Sequence, residues 1–122
     1  MTIQIIDVNH VNVTVSPDLE EAAKHFYRHV LGLQEIPKPV GTRQSVGAWY
    51  QIGATQLHLS IEDNPQNNAS NRHVCYRIAD LDQAAETFRA AGVEIIPDSQ
   101  AVGPAKRFFV CDPGGNRIEI TK

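Results

Sequence analysis

The sequence lacks any apolar run approaching the roughly 20 residues that cross a bilayer. Its first residues, Met1-Thr2-Ile3-Gln4-Ile5-Ile6-Asp7, contain no basic segment followed by an apolar one. Neither a membrane anchor nor a secretory leader is therefore expected. Cysteine is scarce. Cys75 and Cys111 are the only two and form no CxxC pair, which points away from a disulfide framework and toward a reduced, cytoplasmic protein. No run of Lys or Arg stands out, and the formal net charge is -3. The basic face that phosphates require is missing, so a nucleic-acid partner is not expected. The rest of the composition, 42% hydrophobic and 20% charged, is that of a soluble globular protein. A chain of 122 residues suits one domain over 1–122, with a real core but little spare mass for a deep pocket.

The pattern is written twice. His10-Val11-Asn12-Val13-Thr14-Val15 lies over His73-Val74-Cys75-Tyr76-Arg77-Ile78, Asp18-Leu19-Glu20-Glu21-Ala22-Ala23 over Asp80-Leu81-Asp82-Gln83-Ala84-Ala85, and Phe26 over Phe88. Gly53-Ala54-Thr55-Gln56-Leu57-His58-Leu59 then matches Gly114-Gly115-Asn116-Arg117-Ile118-Glu119-Ile120. The offsets are 63 (His10 to His73), 62 (Asp18 to Asp80) and 61 (His58 to Glu119). Ordered matching at three places predicts two βαβββ repeats of an α+β fold, about 5–61 and about 72–122, joined by an exposed polar linker over 62–71.

Within each repeat the periods change as a strand–helix–strand reading requires. Val11, Val13 and Val15 alternate with Asn12 and Thr14, the signature of a half-buried strand. A helix is expected from a polar cap at Ser16–Asp18, through Leu19, Ala22, Ala23, Phe26 and Val30, to Gly32. The second copy runs from Asp80 to Gly92. Strands follow around 45–53 and 56–61, and around 107–111 and 116–121, with turns at 53–55 and 112–116.

The same alternation assigns faces. With Val11, Val13 and Val15 turned to the helix, His10, Asn12 and Thr14 point away. By the same rule His73, Cys75 and Arg77, then Gln56, His58 and Ser60, then Arg117, Glu119 and Thr121 take the helix-free side. Three of the five histidines and a repeat-matched glutamate thus stand on helix-free faces. A two-fold relation between the halves would set His10 beside His58 and His73 beside Glu119 around a shared hollow. Neutral imidazole and carboxylate are donors for borderline divalent metals, and a site with open positions suits catalysis. His25 and His29, on the first helix, are outside this pattern. Cys75 and Cys111 read as structural thiols, and Trp49, Tyr50, Phe108 and Phe109 as core or cavity wall.

Asn9-His10-Val11-Asn12-Val13, Phe26-Tyr27-x-x-Val30-Leu31-Gly32-Leu33, Gln56-Leu57-His58-Leu59 and Asp112-Pro113-Gly114-Gly115-Asn116-Arg117-Ile118-Glu119 resemble the vicinal-oxygen-chelate superfamily. It includes glyoxalase I, extradiol dioxygenases, methylmalonyl-CoA epimerase, fosfomycin-resistance thiol transferases and bleomycin-binding proteins. The resemblance implies one divalent transition metal (Ni, Co, Zn or Fe(II)) on His10, His58, His73 and Glu119. His58 stands where glyoxalase I places a glutamate that binds metal and acts as base, and a histidine there can ligate or take a proton.

The first reading is a glyoxalase-like lyase or isomerase acting on a small substrate with vicinal oxygens through an enediolate. His58 or Glu119 would move the proton, with Arg77, Lys106 and Arg107 as anion contacts. An iron(II) extradiol-type dioxygenase or a thiol transferase would use the same donors, and a non-catalytic antibiotic-binding module is the alternative outside enzymology. The resemblance also implies a homodimer. It leaves open whether four ligands come from one chain or half from each of two.

Overall fold

The computed structural model describes residues 1–98 and 106–122. It contains two four-stranded sheets of identical topology. The first holds β1 (His10–Val15), β2 (Gln34–Ile36), β3 (Ala48–Ile52) and β4 (Thr55–Ile61) in the order β1-β4-β3-β2. The second holds β5 (His73–Arg77), β6 (Ile96–Pro97), β7 (Arg107–Cys111) and β8 (Arg117–Thr121) in the order β5-β8-β7-β6. In each sheet the opening strand lies parallel to the closing one, and the other pairs are antiparallel. A parallel pair cannot be joined by a tight turn, so the helix in each half forms part of a long crossover. The expected α+β fold with two βαβββ units is what the chain adopts.

The two shortest strands, β2 and β6, were not located from sequence, because two or three residues are too few to show a period. The linker carries a single short 3₁₀ turn at Asn67–Ala69. Its Asn67 side chain donates to the carbonyls of Thr14 at 2.8 Å and Gly114 at 3.0 Å, tying the end of β1 to the β7–β8 turn.

The first helix departs from expectation. Ser16 makes no side-chain cap bond, since its hydroxyl donates to Asp18 at 2.6 Å. Pro17, which has no N–H to be capped, opens a 3₁₀ turn over Pro17–Leu19. The α-helical part α1 is only Glu20–His25, and Phe26–Val30 is a π-turn closed by Leu31 N–H donating to the Phe26 carbonyl at 2.9 Å. This wider turn lets the consecutive residues Phe26 and Tyr27 both be buried. Gly32, at φ 69°, then reverses the chain in the left-handed region, as expected. Helix α2 (Leu81–Ala90) is regular, and its cap is the expected one: Asp80 accepts the Gln83 N–H at 3.0 Å.

The helix sides of both sheets feed one core. Val15, Phe26, Tyr50, Leu57 and Leu59 from the first half join Phe88, Val110, Ile118 and Ile120 from the second. A polar link crosses that core. Tyr27 donates to Asp112 Oδ2 at 2.5 Å, where both residues are buried. Its carboxylate also accepts from the backbone of Gly114 and Asn116 and from the Asn116 amide, all four bonds to it being within 2.9 Å.

Candidate metal centre

The four candidate donors fall into two half-sites, one on each sheet. On the first, His10 opens β1, while His58 on β4 faces Asn12 on one neighbouring strand and Trp49 on the other. The three rings form a stack: His10 to His58 at 4.0 Å and 16°, His58 to Trp49 at 3.8 Å and 5°. His58 was expected on an open face, yet it is only 7% exposed, because Trp49 and His10 cover its two sides. Burial first, then the nearby charges of His10 and Lys38, lowers the His58 pKa and favours the neutral imidazole.

Side-chain amides orient these rings. His10 Nδ1 is 2.8 Å from Asn9 Oδ1, and His58 Nε2 is 2.9 Å from Gln56 Oε1. An amide oxygen only accepts, so each facing ring nitrogen carries a proton, and in the neutral rings His10 Nε2 and His58 Nδ1 are the nitrogens with a lone pair. Anchoring the far ring nitrogen is how metal-binding imidazoles are held.

On the second sheet Glu119 sits between Cys75 of β5 and Phe109 of β7. His73 Nδ1 faces the Asn71 carbonyl at 3.0 Å and therefore donates, while Nε2 lies 3.2 Å from Glu119 Oε1. A protonated Nε2 would donate to that carboxylate, and in the neutral ring the two groups would suit a divalent ion. The second carboxylate oxygen, Oε2, accepts the Cys75 thiol at 3.1 Å. Burial, with the bond to Glu119 and its charge, pushes that thiol up to about 11, so it stays protonated and can donate. Arg107 Nη1 lies 3.5 Å from Glu119 Oε1, and Arg107 Nε bonds Asp98 at 2.7 Å.

His10 thus meets His58, and His73 meets Glu119, but the pairs do not meet each other within one chain. Among the described residues no three His, Cys, Asp or Glu side chains are grouped to hold a metal ion. A hollow of about 360 Å³ does lie between the halves, lined by Asn12 and Thr14 of β1 and by His73 and Arg117 of the second sheet. Of the four candidate donors it contains only His73, so the shared hollow expected from the repeat is not assembled by a single copy. Of the proposed anion contacts, only Arg107 touches a half-site. Arg77 donates to the Lys122 carbonyl at 3.0 Å, and Lys106 is exposed just before β7.

Trp49 and Phe109 were read only as core or wall, and Cys75 as a structural thiol. The structure makes each an immediate neighbour of a candidate ligand. Phe109 carries Arg117 over its face at 4.3 Å and His73 at its edge at 5.8 Å. The repeat held the signal, since His58 and Glu119 are matched, and counting back through each hairpin puts an aromatic opposite both.

Residues 7–120 match the family model of the Glyoxalase/Bleomycin resistance protein/Dioxygenase superfamily. The chain belongs to this superfamily. A glyoxalase family protein from Bacillus anthracis is 32% identical, with 99% of this chain and 98% of that one covered and a TM-score of 0.86. The superfamily fold also superposes on the fosfomycin resistance protein FosX from Listeria monocytogenes (18% identity, 97% and 91% covered, TM-score 0.81). Lactoylglutathione lyase from Agrobacterium tumefaciens is a further neighbour (19% identity, 97% and 94% covered, TM-score 0.69). A variant of the Listeria protein is known in complex with Mn(II) and 1S,2S-dihydroxypropylphosphonic acid. Among curated proteins none matches the sequence. Among the described residues, no helix is long and apolar enough to cross a membrane.

Proposed function

We propose that this chain is a metal-dependent lyase or isomerase of the glyoxalase type, acting on a small substrate with two adjacent oxygens. In this reading the metal centre is shared between two copies of the chain, with His10 and His58 from one protomer and His73 and Glu119 from the other. The observation that carries it is the pair of half-sites. They occupy repeat-matched strands, their imidazoles are anchored through the far nitrogen, and neither is complete alone. Two further features support a paired form. Strands β1 and β5 are both sheet edges, which invite pairing with another chain. Ahead of β1, Ile3, Ile5 and Ile6 are all more than 80% exposed, an apolar stretch of the kind that marks contact surfaces.

The donor set fits nickel, cobalt, zinc or iron(II). The bound ion would supply the positive charge that polarises a carbonyl and acidifies the neighbouring C–H. His58, whose neutral form burial favours, has one free nitrogen, which would either hold the ion or, released from it, accept that proton. Trp49 and His10 fix its ring plane, so its free nitrogen keeps one direction. Glu119 is held at both oxygens, by Cys75 on one side and by Arg107 and His73 on the other. Arg107 is the cation placed to meet an anionic substrate group.

A second reading rests on a subset of the same donors. His10, His73 and Glu119 make two imidazoles and one carboxylate, the set used by iron(II) oxygenases. Metal identity separates the readings, iron(II) favouring oxygen chemistry and nickel, cobalt or zinc favouring the lyase.

The test is metal content per chain after dialysis of protein purified without chelator or air. About one equivalent of divalent metal, lost in Glu119→Ala, is expected. Mixing His10→Ala with Glu119→Ala protomers should restore about a quarter of the wild-type sites: half of randomly paired dimers are mixed, and each mixed dimer holds one intact site. No recovery would place the site within one chain. Wild-type protein with no metal equivalent that Glu119→Ala abolishes would refute the reading and leave a binding module.

A further inference from the structure

His25 and His29 are the two histidines that the repeat does not account for. Their counterparts one repeat later are Thr87 and Ala91. Both are exposed, on the outer face where α1 runs into the π-turn. Among the described residues neither ring makes a hydrogen bond, and the ring centroids are 5.0 Å apart with a 40° tilt. We propose that this pair is a second metal site, a solvent-facing two-imidazole chelate for copper(II), nickel(II) or zinc(II), independent of the centre described above.

The spacing is the main support. A metal–nitrogen bond of about 2.0–2.1 Å places an ion about 3.2 Å from each ring centroid. An angle of roughly 90–110° at the ion then puts two centroids about 4.5–5.2 Å apart, and the observed separation lies inside that range. Residues four apart on a helix share one face, so the chelate needs no backbone change. The neighbouring positive charges are already met, Lys24 by Glu20 at 2.8 Å and Arg28 by Glu35 at 3.9 Å. With no third His, Cys, Asp or Glu grouped there among the described residues, water would complete the coordination, and the ion would exchange easily. Copper(II) should bind best, by the general affinity order for nitrogen sites.

The experiment uses the full, untagged chain and the metals alone. Equilibrium dialysis against copper(II) or nickel(II) chloride is expected to show one equivalent that survives Glu119→Gln and disappears in both His25→Gln and His29→Gln. Retention on a nickel-charged resin should follow the same pattern, and Lys24→Gln should keep it. Circular dichroism and melting temperature confirm that each exposed-site variant is folded, and two separate variants guard against a folding artefact in one. Unchanged uptake and retention in folded His25→Gln and His29→Gln would overturn the proposal. An equivalent lost only in Glu119→Gln would belong to the main centre, so failure here and failure of the proposed function give different results.

Discussion

Two tyrosines sit close together in the core, with ring centroids 5.9 Å apart, and removing their hydroxyls should have opposite effects. Tyr27 is 1% exposed and donates to the buried Asp112 carboxylate at 2.5 Å. Tyr27→Phe removes one of four donors to a charged group that water cannot reach. Bonds to charged partners are worth about 1.5–3 kcal/mol. For a chain of this size that is a fall in melting temperature of about 6–12 °C. Tyr50 is fully buried, and among the described residues its hydroxyl has no hydrogen-bond partner. Tyr50→Phe removes a group that is desolvated without compensation, so no loss is expected, and a gain of up to about 1 kcal/mol follows if the penalty is relieved. Thermal and urea melts of metal-free protein should be run at one protein concentration, because ligand binding and dimerisation shift apparent stability. Equal shifts in the two variants, or a Tyr27→Phe protein as stable as wild type, would refute the reasoning that the Tyr27–Asp112 bond fastens the halves together.

Other outcomes follow from single residues. His58 has its pKa lowered from 6.5 by burial, His10 and Lys38, so the folded chain binds this proton less readily than the unfolded one. Its contribution is present above about pH 6.5 and is lost as pH falls through and below that value. Metal-free His58→Gln should therefore lose less stability than wild type between about pH 7.5 and 5, and parallel curves would refute this. Gly47 has φ 72°, its N–H donates to Glu20 at 2.9 Å, and a Cβ there would collide with the Leu59 carbonyl. Gly47→Ala should cost about 2 kcal/mol or more in a urea melt, and a neutral result would mean that the β2–β3 connection moves freely. Trp49 is the only tryptophan and lies 3.8 Å from His58. Zinc titration should alter its emission in step with uptake measured by dialysis; unchanged emission with metal bound would remove His58 from the ligand set.

Repetition carries far more information than any single motif, which is why so much was legible in the sequence. The match of His10 to His73 and of His58 to Glu119 specified both the duplicated topology and the strands that bear the donors. Alternation placed those donors on helix-free faces, because a strand turns successive side chains to opposite sides. The regular helix α2 could be read from its cap and its apolar spacing. The π-turn at Phe26–Val30 could not, since it arises from packing Phe26 and Tyr27 together against both sheets, and local spacing does not record that demand.

The chemical character of the candidate site was likewise in the sequence: imidazoles and a carboxylate at matched positions, with no basic patch and no disulfide framework to suggest another partner. Its assembly was not. Only the tertiary structure shows that His58 is shielded by Trp49 and His10, that Cys75 and Arg107 hold Glu119, and that Arg77 bonds the Lys122 carbonyl. Only the structure shows that one copy brings the donors together two by two. Strand register sets neighbours within a sheet, whereas the approach of two sheets depends on helices, turns and buried links such as Tyr27 to Asp112, contacts between residues 85 positions apart that no local pattern encodes.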